Sequence, residues 1–261
     1  MKCVICCIAK YENNYINDWV NWHINLGFDH IYIHDNNPVD YEPIESRIEQ
    51  LDKVTIYKVP DRIQENIQKY WYNKFYQEHK DEFDWCAYID CDEYIELKKW
   101  TNIKDFLSDK KLNEYPVIRL NMRLYGDDNK ITRDTSIPVY EGIKIWLKDH
   151  NYNSGGKEII KGHLNNVLID SAHYPYINGK RPKQINPDYV VGDWGIRGLP
   201  DSESAHINHY NTKTISEFLD QKFTRGECWR TNSNCDLDYF WIVNKKTPEK
   251  LEFLKSKGLI K

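Results

Sequence analysis

Four short apolar runs, each breaking off into polar or acidic residues, alternate with amphipathic segments over the first ~100 residues. No other feature restricts the fold as much. Residues 2–9 (KCVICCIA) form a continuous apolar run, the pattern of a strand buried on both faces of a parallel sheet. Asn14 reads as the N-cap of a helix carrying Ile16, Trp19, Val20, His23 and Ile24, with Gly27 placed to end it. His30 to His34 predicts a second strand, which runs into a turn at Asp35-Asn36-Asn37-Pro38. A third, Val54 to Val59, stops at Pro60, and Asp61 with Gln64 reads as a capping box. The helix it opens would face the core through Ile67, Tyr70, Trp71 and Phe75. A fourth strand, Trp85 to Ile89, ends in Asp90-Cys91-Asp92-Glu93. This alternation predicts an α/β fold with a Rossmann-like, mostly parallel sheet and helices on both faces.

The rhythm changes after that. Tyr115 to Tyr125 reads as one long strand, and residues 126–213 are rich in Gly, Asn, Pro and His with no clear helix. Thr214 to Thr224 resumes an amphipathic helix through Ile215, Phe218, Leu219 and Lys222, and Pro248 to Lys257 reads as the last. The 261 residues contain no repeat or linker, so a single domain is expected, with a nucleotide-binding half (1–95) and a loop-rich half (96–261).

Composition narrows the partners. A net charge of −4 gives no general attraction to nucleic acid, which is not expected to bind. The longest apolar run, Cys3 to Ala9, is far shorter than a membrane span requires, and no secretory leader is expected because the run gives way to Lys10 and Glu12. Seven cysteines include no pair of CxxC motifs, which points to buried, reduced thiols in a cytoplasmic protein.

Asp90-Cys91-Asp92-Glu93 is the sharpest chemical feature. Carboxylates spaced i, i+2 at a strand end can grip a divalent cation that also binds a diphosphate. The spacing alone is weak evidence, since a chain with this Asp content carries about two such matches by chance. The second match, Asp236-Leu237-Asp238, lies in a polar stretch and reads as a helix cap. Asp90 and Asp92 instead follow an apolar strand, at the sheet edge where open α/β folds bind ligands. Glu12 after the first strand and Asp35 after the second should share that rim, suited to hydrogen bonds with a base or ribose; helix capping and an Asx-turn are the structural alternatives. There is no Gly-rich phosphate loop, so a diphosphate would rest on a cation and basic side chains.

The opening CIAKYENNYINDWVNWHINLGFDHIYIHDN, followed by WCAYIDCDEYI, resembles glycosyltransferases of the GT-A fold, in the family-2-like and family-92-like group. That group shares an "AK.EN.Y..EW..WH...G.DH.Y.YDN" start and a DxDE motif. His206-Ile207-Asn208-His209-Tyr210 resembles its "HY" element, and Ile215-Ser216-Glu217-Phe218 with Lys222-Phe223-Thr224-Arg225-Gly226 its "S.EEF..K..RG" stretch. The resemblance implies a GT-A type sheet with an acceptor-side C-terminal half. It implies nucleotide contacts at Glu12 and Asp35, ribose or metal at Asp90, and Mn²⁺ or Mg²⁺ at Asp92 with His209 as a late ligand. Lys157, Lys161, Lys222 and Arg225 become candidates for neutralising phosphates, and His163, His173 and His206 are further histidines of the same half. The implied reaction moves a hexose from a nucleotide sugar, a UDP-sugar, onto a glycan or lipid-linked glycan acceptor in polysaccharide biosynthesis, with peripheral contact at the inner membrane face.

An inverting transfer needs a carboxylate base for the acceptor hydroxyl. Asp193, between Gly192 and Trp194-Gly195, is the first candidate, followed by Glu203 and Asp201. The chain departs from family-2 enzymes in lacking a plain Glu-Asp dipeptide and a clear QxxRW motif. A sugar-phosphate nucleotidyltransferase is disfavoured by the missing Gly-rich loop, and a non-catalytic carbohydrate-binding protein would explain only the aromatic content.

Overall fold

The computed structural model describes residues 1–59, 67–171, 173–193, 198, 200–223 and 237–261. The chain divides into two compact units, Met1–Arg123 with Asn151–Asn208, and Leu124–His150 with His209–Lys261.

In the first unit, β1 (Cys3–Ala9), α1 (Ile16–Asn25), β2 (His30–Asp35), β3 (Val54–Lys58), α2 (Ile67–His79) and β4 (Trp85–Tyr88) follow the expected order. β5 (Glu93–Leu97), α3 (Ile103–Leu107) and β6 (Val117–Leu124) come next. After α4 (Val139–Gly142) of the second unit, the first unit continues with β7 (Gly156–Lys161), β8 (Val167–Ser171), β9 (Tyr174–Ile177), β10 (Gln184–Ile185), β11 (Val191–Gly192) and β12 (Ala205–His209). The main sheet runs β11-β10-β6-β7-β4-β1-β2-β3, with β12 pairing β5 and β6. β3, β2, β1 and β4 are all parallel, as the alternation predicts, while β7 inserts antiparallel between β4 and β6. The stretch expected to be loop-rich thus supplies strands β7 to β12 and the short helix α4.

Strand order explains the layers. The chain winds from β1 outward through β2 to β3 and then crosses back to β4 on the other side of β1. With right-handed crossovers, the two directions of winding put α1 and α2 on opposite faces. α2 covers the face of Val4 and Cys6, packing Tyr72, Phe75 and Tyr76 against Tyr32, Cys86 and Tyr88. Its buried stripe is therefore Tyr72, Phe75 and Tyr76, whereas Tyr70 is 47% exposed. Cys3, Ile5 and Cys7 point the other way and are also buried, which is why the run reads as continuously apolar.

Several local expectations hold and others do not. Gly27 ends α1 at φ +103°, a conformation that a side chain would strain. Asn14 is not the cap: Tyr15 takes that place without a side-chain bond, and the carbonyl of Glu12 accepts the N–H groups of Tyr15 and Ile16. Asp61 and Gln64 lie outside the described residues. The five described cysteines, Cys3, Cys6, Cys7, Cys86 and Cys91, are buried free thiols.

In the second unit, α5 (Ile215–Phe218) opens on a capping box between Thr214 and Glu217, and continues as a wider π-helical turn over Leu219–Phe223. α6 (Leu237–Val243) and α7 (Pro248–Ser256) pack with it around Ile215, Phe218, Phe240 and Leu254. Asp238 sits in the first turn of α6; Asp236 lies outside the described residues. Among the described residues no helix is long and apolar enough to cross a membrane.

Candidate active site

Winding reverses between β1 and β4, so the crevice beyond their carboxyl ends is the topological switch point of the sheet. The chain leaves β1 through Tyr11, held at φ +60° with its N–H donating to Asn37 Oδ1 at 2.7 Å. Glu12 follows and is buried. It leaves β2 through Asp35, whose carboxylate is fully buried and engaged on both oxygens. Oδ1 accepts the Asn37 N–H at 2.9 Å, forming the Asx-turn, and Oδ2 accepts Lys58 Nζ at 2.7 Å.

Beyond β4 the acidic turn closes on itself. The Asp90 N–H donates to Glu93 Oε2 at 3.0 Å, and the Glu93 N–H donates to the Asp90 carbonyl at 3.1 Å. Asp92 and Glu93 are both buried, with a carboxylate oxygen of each within 4.8 Å of the other. Two carboxylates that close suit a hard divalent cation. Lys157, from β7, is itself buried and reaches the same turn. Its Nζ donates to Asp90 Oδ2 at 2.6 Å and lies 3.5 Å from Glu93 Oε2. Gln68 of α2 donates to Asp90 Oδ1 at 2.7 Å. Burial alone would raise Asp90, but the Lys157 ammonium outweighs it and holds the carboxyl below its usual range. Burial likewise opposes the charge on Lys157, and Asp90 and Glu93 overcome it, pushing the ammonium well above the usual lysine range.

The strand that Glu93 opens is tied to α1. Trp19 Nε1 donates to the Glu93 carbonyl at 2.8 Å, and Trp22 Nε1 to the Ile95 carbonyl at 2.8 Å. His23 accepts the Ile95 N–H on Nε2 at 3.3 Å, leaving Nδ1 for the Trp19 carbonyl at 2.8 Å. Burial drives His23 down to about 3, so it is neutral and its two nitrogens can divide donor and acceptor roles this way. The Trp-x-x-Trp-His segment of the opening motif thus holds the strand that the DxDE motif begins.

On the other face of β5, Glu96 collects donors. His206 Nε2 lies 3.5 Å from Glu96 Oε2, Asn208 Nδ2 donates to it at 2.6 Å, and Lys98 pairs with Oε1. The His206 contact, with the others, holds the Glu96 carboxyl well below its usual range. His206 and Asn208 alternate along β12 with Ile207 and His209, as Glu96 alternates with Glu93 along β5. His209 therefore falls on the strand face opposite to His206.

The remaining candidates scatter. Lys161 stands on the Trp85 rung of β7, about 13 Å along the strand from Lys157, with its Nζ over the Trp85 ring. His163 is exposed near Asp81 and Asp84, at the same far end. Neither shares an edge with Asp90. His173 donates from Nδ1 to the Gly156 carbonyl at 2.8 Å; burial, and then Lys157, lowers it to about 4. Asp193 follows β11 and is exposed. Asp201 accepts from Asn121 Nδ2 at 2.7 Å, and Glu203 pairs with Arg123 at 2.9 Å while 81% exposed. In the second unit, Lys222 is buried and donates to Asn211 Oδ1 at 2.6 Å. Arg225 lies outside the described residues.

The sequence marks Lys157 but not its contact with Asp90, and it marks neither Gln68 nor the ligand capacity of Glu93. The signal for Glu93 was present: it is the fourth residue of DxDE and opens a strand.

No protein-family model matches the chain. A glycosyltransferase family 92 protein of Ricinus communis is 24% identical over 228 residues, covering 85% of this chain and 37% of that protein. The chain thus spans little more than a third of the length of that relative. The solved structure of S. aureus TarS aligns over 62% of this chain and 28% of its own, at 14% identity and a TM-score of 0.35. The mostly parallel sheet flanked by helices fits a GT-A-like fold, and in sequence the chain is similar to a family 92 glycosyltransferase, as its opening and DxDE motifs imply.

Proposed function

We propose that the chain is a metal-dependent glycosyltransferase that moves a hexose from a nucleotide sugar, a UDP-sugar, onto a glycan or lipid-linked glycan acceptor with inversion. The observation that carries this reading is the buried Asp92–Glu93 carboxylate pair at the switch point of the sheet, within a DxDE sequence. Asp92 and Glu93 would hold Mn²⁺ or Mg²⁺. Carboxylate oxygens suit either of these hard cations. When bound, the cation supplies positive charge to a leaving diphosphate.

The chain's own residues supply orientation. Glu12 and Asp35 would border the nucleoside, with Asp35 braced by Lys58 and Asn37. Asp90, braced by Lys157 and Gln68, lies where it could face the ribose. Asp193 is the proposed base, being exposed after a short strand and free to approach an acceptor hydroxyl; Glu203 is the second candidate. Holding donor and acceptor in one crevice would supply their mutual orientation.

A panel of nucleotide sugars tests the reading. With Mn²⁺ present, one UDP-sugar should show slow hydrolysis that EDTA abolishes and that Asp92→Asn reduces at least ~100-fold. Turnover of every donor at the buffer rate, with or without Mn²⁺, would refute it.

A further inference from the structure

Asp90 and Asp92 look equivalent in the sequence, and the structure shows what holds the first of them. Each Asp90 oxygen already accepts a strong bond, Oδ2 from Lys157 at 2.6 Å and Oδ1 from Gln68 at 2.7 Å. The Lys157 side chain is only 2% exposed, and it arrives from β7 one residue before the Glu158–Tyr88 rung. Carboxylates that meet a buried ammonium offset much of the cost of burying it. Here it meets both ends of one four-residue turn, Asp90 and Glu93, where the Asp90 N–H already donates to Glu93 Oε2 and the Glu93 N–H to the Asp90 carbonyl. Asp92 is one of the two residues between.

We infer that Lys157 is a positioning residue of the cation site: with Gln68 it holds Asp90 out of the donor set and leaves Asp92 and Glu93 as the coordinating carboxylates. This rests on the cation site proposed above. Without Lys157, Asp90 would lose the bond that holds its Oδ2 and could swing onto the cation.

The test is Mn²⁺ binding by the full chain, read from the electron paramagnetic resonance of free Mn²⁺, together with melting temperature. Four variants are compared with wild type: Asp92→Asn, Lys157→Met, Asp90→Asn, and Asp90→Asn with Lys157→Met. The Asp92 variant should lose ~10-fold or more in affinity. The double variant keeps the same net charge as wild type and should stay within ~3-fold of it, because the pair it removes does not touch the cation. Lys157→Met alone should gain ~10-fold, and the gain should vanish when Asp90 is also changed. If the double variant loses as much as Asp92→Asn, Asp90 is a ligand and the inference is overturned while the cation site stands. Should the double variant not fold, a fall rather than a rise in Lys157→Met overturns it equally. Wild type that binds no Mn²⁺, or an Asp92 variant that binds normally, overturns the cation site itself.

Discussion

Trp19 of α1 donates its indole N–H to the carbonyl of Glu93 at 2.8 Å, joining two parts of the chain 74 residues apart. Both groups are buried, and Glu93 is the residue at which the acidic turn becomes β5. The opening motif therefore acts on the carboxylates from behind, by fixing the backbone that presents them.

Trp19→Phe keeps an aromatic ring in the core and removes only the donor and part of the volume. The Glu93 carbonyl then has lost its indole partner in a buried setting, which costs about 1–3 kcal/mol. Urea unfolding should show that loss. A midpoint equal to wild type would mean that the bond contributes nothing.

Histidine burial sets an acid limit. His34 is 3% exposed, and burial lowers it to about 4, so the folded chain holds it neutral. In the unfolded chain it protonates at its ordinary value of 6.5. Between those values the unfolded state binds more protons, so stability is complete above pH 6.5 and declines as pH falls toward 4. At pH 5 the loss from His34 is about 2 kcal/mol. His34→Asn, which keeps a donor for the Cys7 carbonyl, should flatten the fall in melting temperature between pH 6.5 and 4. An unchanged slope would assign the acid sensitivity to other groups.

Gly162 admits no side chain. A Cβ there would lie 1.9 Å from the Phe83 carbonyl oxygen and 2.8 Å from that of Lys80, and both are backbone atoms. Gly162→Ala should destabilise by about 1–3 kcal/mol through the backbone shift it forces. Because the site is at the far end of β4 from Asp90, Mn²⁺ affinity of the folded fraction should not change. A melting temperature matching wild type would show that this corner yields more easily than its geometry suggests.

The front of the fold was legible because its strands are buried on both faces. Val4 and Cys6 face α2 while Ile5 and Cys7 face away, and all four read as one apolar run. Asp90 and Asp92 could be placed because the strand before them was clear. β7 could not be read this way, since GKEIIK buries a lysine and a glutamate that meet their partners only across the sheet. Lys157 finds Asp90 67 residues away, and Glu158 finds Arg119 at 2.8 Å on the neighbouring strand. No local pattern records such pairings. In α2 two aromatic stripes competed, and the choice fell to Tyr72, Phe75 and Tyr76 because the sheet surface lies on that side.

The most direct measurement of the central claim is calorimetric titration of Mn²⁺ into the chain with UDP present, for wild type and Asp92→Asn. The account predicts saturable binding by wild type, strengthened by UDP, and a loss of ~10-fold or more in the variant with its melting temperature in the absence of metal close to wild type. Equal Mn²⁺ affinity in both proteins, or binding that ignores UDP, would contradict it.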